Sequence, residues 1–166
     1  MKKITFLLLS LTFILTACEG DPGPPGPQGP TGTYIVGQSF ENDIPINFTS
    51  TNGFLDTLEI PLDIELFESD MVLVYRLVDV VDGYDVWRLL PETVYTDDGS
   101  QFTYNYEHNY DLVTIYLDGA PSLDLSTLPD VYRIDQFFRV VVLPVDFASS
   151  NNIDINNYNE VMNYVE

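Results

Sequence analysis

From Gln101 to Tyr110 the chain alternates with period two. Phe102, Tyr104, Tyr106, His108 and Tyr110 interleave with Gln101, Thr103, Asn105, Glu107 and Asn109. Such alternation sorts residues onto the two faces of a β-strand. Met71 to Val81 differs: it is apolar except for Arg76 and Asp79, the pattern of a central strand covered on both faces. Further strands are expected at Tyr34–Phe40, Phe54–Ile60, Leu112–Leu117 and Ile134–Leu143, the last stopped by Pro144.

Turn dipeptides punctuate these runs at Asn52-Gly53, Asp82-Gly83, Asp98-Gly99 and Asp118-Gly119. Asp-Gly and Asn-Gly supply the positive φ angles that tight hairpins require. A two-residue turn at Asp82-Gly83 would set Val81 opposite Tyr84 and Val78 opposite Trp87. One at Asp98-Gly99 would set Tyr95 opposite Phe102. About eight short strands in residues 33–166 make an all-β protein, a single antiparallel β-sandwich domain. Only the tail departs: Tyr158, Val161, Met162 and Val165 recur at helical spacing after a cluster of Asn and Asp. A short C-terminal helix is expected over 156–166.

The amino-terminal part reads differently. Met1-Lys2-Lys3 precedes the apolar run Ile4–Leu15, then Thr16-Ala17 and the sole cysteine, Cys18. A basic start, an apolar stretch and small residues before a cut are the parts of a signal peptide, here residues 1–17. The apolar run of about 12 residues falls short of the roughly 20 that span a bilayer core. Leu15-Thr16-Ala17-Cys18 resembles a lipobox, in which the thiol is diacylated before cleavage in front of it. Acylation also disposes of an otherwise unpaired thiol in an exported chain. Two or three acyl chains hold a protein stably where one is marginal.

Next come Glu19 and the triplets Gly20-Asp21-Pro22, Gly23-Pro24-Pro25, Gly26-Pro27-Gln28 and Gly29-Pro30-Thr31, closed by Gly32. Glycine at every third position satisfies the collagen rule. The same composition suits a stiff polyproline II linker that needs no partner chains. As an extended spacer, residues 20–32 would reach about 40 Å at about 3.1 Å per residue.

Charge narrows the partners. The chain carries 26 acidic and 6 basic residues, a net charge of -20. Both lysines lie in the signal peptide, so the mature chain keeps only Arg76, Arg88, Arg133 and Arg139 as fixed cations. Nucleic acid and anionic lipid headgroups are excluded as electrostatic partners. Cationic partners and divalent metals are the natural counterparts.

Two candidate sites follow. Asp79, Asp82 and Asp85 surround one hairpin tip and Asp97 and Asp98 the next; their hard oxygens could serve Ca²⁺, which takes 6 to 8 of them. The face bearing Tyr104, Tyr106, His108 and Tyr110 could be a ligand platform stacking on sugar rings or side chains. It could equally be the core face of an antiparallel strand. Catalysis finds no motif: there is no Gly-x-Ser-x-Gly, phosphate loop or His-rich metal spacing. A carboxylate pair of glycosidase type, set by the fold alone, stays open. No enzymatic activity and no resident cofactor other than possible Ca²⁺ are therefore expected. Asp56-Thr57-Leu58 resembles the tripeptide at which bacteria of the Bacteroidetes group attach O-glycans to exported proteins.

Taken with the lipobox and the triplets, the blocks Phe67-Glu68-Ser69-Asp70, Val74-Tyr75-Arg76-Leu77, Val86-Trp87, Leu89-Leu90-Pro91 and Phe138-Arg139-Val140 resemble the collagen-like lipoproteins of Bacteroidetes, especially flavobacteria. The resemblance implies a lipid-anchored place in the cell envelope, at the outer membrane, and no known activity. Glu19 and Asp21, interrupted by Gly20, resemble the surface-export signal of the same bacteria, which favours display on the outer face and leaves the periplasmic face as the alternative. The expected partners are the membrane, through the lipid, and an envelope protein or glycan.

Overall fold

A computed structural model describes residues 36–166. The signal peptide, Cys18, the Gly-X-Y spacer and the first residues of the strand expected from Tyr34 lie outside the described residues.

The described chain forms eight strands: β1 (Gln38–Glu41), β2 (Leu55–Glu59), β3 (Asp70–Val81), β4 (Tyr84–Leu89), β5 (Glu92–Tyr95), β6 (Gln101–His108), β7 (Leu112–Gly119) and β8 (Phe138–Pro144). They build two four-stranded antiparallel sheets, ordered β1-β8-β3-β4 and β2-β7-β6-β5. This is the all-β sandwich that the alternation implies. Two short helices follow, α1 (Val145–Ser150) and α2 (Tyr158–Met162).

Periodicity explains where the core sits. Val72 and Val74 of β3 and Val140 and Val142 of β8 point between the sheets, onto Phe102, Tyr104, Val113 and Ile115 of β6 and β7. The alternate residues Leu73, Tyr75, Val141 and Leu143 point the other way, where Ala148, Ile153, Val161 and Val165 cover them. The first sheet is thus buried on both faces at its centre, which is why β3 and β8 read as continuous apolar runs. In the second sheet the outer face carries Thr57 beside Thr114 and Thr93 beside Thr103, each pair with hydroxyls within 3.3 Å. Cross-strand threonine pairs of this kind stabilise a half-solvated sheet.

The carboxy-terminal segment is a cover more than a helix. Asn157 caps α2 through its side chain, which accepts from the Glu160 amide. The helix ends at Met162, short of the expected 156–166. After a turn at Asn163 and Tyr164, Val165 bridges Gly37 in parallel: the Val36 and Gly37 amides donate to the Tyr164 carbonyl, and the Glu166 amide donates to the Gly37 carbonyl. Gly37 allows this approach, since a Cβ there would lie 2.8 Å from the Val165 side chain.

Turn chemistry works at some dipeptides only. Asp82 and Gly83 (φ 52° and 84°) close the β3–β4 hairpin with Val81 opposite Tyr84, as expected. A bulge between Leu77 and Asp79, however, sets Leu77 rather than Val78 opposite Trp87. The β5–β6 turn runs from Thr96 to Ser100, so Tyr95 faces Gln101 and Val94 faces Phe102. Gly53 ends a 3-10 helix at Ser50–Asn52, and Gly119 ends β7; neither closes a hairpin. Residues 134–137, expected to be strand, form irregular backbone with a single bridge between Ile46 and Gln136.

Candidate functional site

The outer half of the β3–β4 hairpin projects beyond its cover. Val72 to Arg76 are buried, whereas Val80, Val81, Tyr84 and Val86 are exposed. β4 is the last strand of its sheet and β5 the last of the other. Between these two edges runs an open groove of about 530 Å³, walled by Val78, Val81 and Val86 on one side and Thr93, Val94 and Tyr95 on the other.

Its floor is charged. Glu92, at the start of β5, is 5% exposed. Arg76, the one cation of the central strand, is 8% exposed and grips Glu92 through two bonds, Nε to Oε2 at 2.8 Å and Nη2 to Oε1 at 3.2 Å. Arg88 reaches the same carboxylate from β4 while its own side chain stays largely in solvent. Arg76 Nη1 donates to Gln136 Oε1, and its guanidinium lies 4.4 Å from the Tyr104 ring centroid. The Tyr104 hydroxyl donates in turn to the Tyr132 carbonyl. Among the described residues each buried side-chain polar atom has a hydrogen-bond partner, which a charge withdrawn from water requires. Sequence reasoning passed over Glu92 and Gln136. The available signal was Arg76 itself, because a cation on a covered strand needs a buried partner.

The acidic tips are separate. Asp79, Asp82 and Asp85 sit exposed on the β3–β4 arm, and Asp79 also lines the groove. Asp97 and Asp98 line a different hollow, of about 210 Å³, beside Leu123 and Pro129. The Asp98 carboxylate serves its own turn: it accepts from the Thr96 hydroxyl and the Ser100 amide, and these bonds hold it below the usual carboxylate range. Asp79 accepts from the Val80 amide. Among the described residues no three His, Cys, Asp or Glu side chains converge to hold a metal ion.

The aromatic row divides. Tyr104 is fully buried between the sheets and cannot be a ligand platform; its face is the core face, because β6 is an inner strand packed on Phe48 and Phe138. Tyr106 packs against the same core, and its hydroxyl donates to the Val72 carbonyl at 2.7 Å. Burial pushes Tyr104 and Tyr106 up from the ordinary phenol range. Only His108 and Tyr110 of the row are exposed: β6 ends at His108, short of the expected Tyr110, which lies in the bend before β7, and with Phe67, Glu68 and Asp70 the two line a small cleft of about 230 Å³.

The other arginines are also paired. Arg139 binds Glu41 and lies over the Trp87 ring at 4.5 Å, with Tyr158 stacked against Trp87. Arg133 binds Asp130 at 2.7 Å. Thr57 of the Asp56-Thr57-Leu58 tripeptide is exposed on the edge strand β2. Among the described residues no helix is long and apolar enough to cross a membrane. No protein-family model, curated protein or solved structure matches this chain.

Proposed function

We propose that the protein is a cell-envelope lipoprotein without catalytic activity, anchored by an acylated Cys18, whose β-sandwich serves as an acidic interaction domain held off the membrane by residues 19–32. The observation that carries this reading is the order of motifs: a basic start, an apolar run, Leu15-Thr16-Ala17-Cys18, then four Gly-X-Y triplets. It accords with the resemblance of these motifs to collagen-like lipoproteins of Bacteroidetes, and with that resemblance we place the protein at the outer membrane, facing outward.

Charge bookkeeping supports the interaction role. All four arginines pair with carboxylates, so the remaining acids dominate the surface field. Such a surface attracts cationic partners and repels nucleic acid and anionic lipid.

Mass spectrometry of the chain recovered from membranes tests the anchor. The expected species begins at Cys18 and carries a diacylglyceryl group, and Cys18→Ala moves the protein out of the membrane fraction. A membrane-bound chain that retains residues 1–17 without acyl groups would overturn the reading.

A further inference from the structure

We propose that the projecting β3–β4 arm and the groove beside it dock an extended, basic peptide segment of a partner protein, which adds to the edge of β4 as a further strand. The proposal takes its setting from the interaction role above but does not depend on acylation of Cys18.

The first argument is the edge. A terminal strand presents unpaired backbone N–H and C=O groups, and extended segments pair with such edges. The second is the apolar wall. β5 stops at Tyr95, and the end of the arm faces it only across the open groove. Val81 is left 50% exposed, Tyr84 78% and Tyr95 73%. Contiguous exposed apolar surface on a soluble domain marks an interaction site. Strand addition would let alternate side chains of the incoming segment cover Val81, Val86 and Tyr95.

The third argument selects the occupant. Within the groove Arg76 and Arg88 are balanced by Glu92 and Asp79. The flanks then add only negative charge: Asp82 and Asp85 on the arm, Asp97 and Asp98 on the next turn. Lysine or arginine at alternate positions of a docked strand complements that field. A second copy of this chain would bring the same carboxylates face to face, in a molecule of net charge -20, which disfavours self-pairing.

The test uses the full chain in detergent at physiological salt, with a labelled peptide of alternating valine and lysine read by fluorescence anisotropy. A control peptide of like charge carries prolines that block strand pairing. We expect the alternating peptide to bind at least about tenfold more tightly than the control. The double variant Val81→Asp/Val86→Asp should weaken that binding at least about tenfold, although it adds two negative charges. Tyr95→Ala, on the opposite wall, gives an independent second variant should the double variant fold poorly, and should weaken binding too. Equal or tighter binding by the folded double variant would mean that charge alone holds the peptide, and would overturn the proposal. So would self-association of the free chain that the same substitutions dissolve, since the occupant would then be a second copy.

Discussion

Along β3, Val72 and Val74 are buried, whereas Val80 and Val81, of the same type on the same strand, are exposed by half or more. The inner stretch lies between two layers: the second sheet on one side, α1, α2 and the tail on the other. The outer stretch packs closely on neither, and the groove separates it from the second sheet. An apolar run therefore reports what a strand can bury against, and the lengths of its neighbours decide how much of it is buried. Here the four residues of β5 set the limit. The bulge between Leu77 and Asp79 falls at the same boundary, a position where a bulge increases the local twist of the strand.

The contrast can be broken most forcefully at its charged centre. Arg76→Met leaves Glu92 buried with Arg88 alone, and should cost about 3–5 kcal/mol in chemical denaturation. A paired replacement, Arg76→Met with Glu92→Met, should recover most of that loss, because two neutral side chains need no partner. Next comes the apolar inner half. Leu73→Ala opens a cavity under the carboxy-terminal cover and should cost about 2–5 kcal/mol.

A smaller effect is expected with alkali. Burial raises the Tyr75 and Tyr104 phenols above their ordinary range; at Tyr75 the nearby Tyr106 and Asp154 add to it, and at Tyr104 Glu92 adds while Arg76 partly offsets it. Both tyrosines thus keep their protons to higher pH in the folded chain than in the unfolded one. Their contribution is complete below about pH 10 and is lost as pH rises beyond it. Denaturation midpoints should fall above that pH, and Tyr75→Phe should flatten the decline. The least effect is expected at the outer half. Val81→Ala should change stability by no more than about 0.5 kcal/mol, so a loss comparable to Leu73→Ala would show that the arm is packed after all.

Much of this architecture was legible from local pattern. The alternation of β6, the Asp82-Gly83 turn and the continuous run of β3 all carry their signals within a few residues. What stayed hidden depends on distant chain. The bulge at Val78 leaves no mark in composition. Tyr104 and Tyr110 fall on one period-two alternation in the sequence, yet one is core and the other exposed, because β6 ends at His108 and Tyr110 lies in the bend that leads to β7. Glu92 reads as an ordinary acid after a proline until the fold brings Arg76 beside it from 16 residues away. The sequence placed Asp79 and Asp98 at two separate hairpins, as they are, but not their local bonds: Asp79 accepts from the neighbouring Val80 amide and Asp98 from the Thr96 hydroxyl.

Amide hydrogen exchange on the full chain, with and without the alternating valine–lysine peptide, tests the division of the hairpin most directly. The account predicts slow exchange for Val72–Arg76 in both conditions. It predicts fast exchange over Val80–Val86 in the free chain, slowing when the peptide is present. Equal protection of the two stretches in the free chain, or no change over Val80–Val86 with bound peptide, would contradict it.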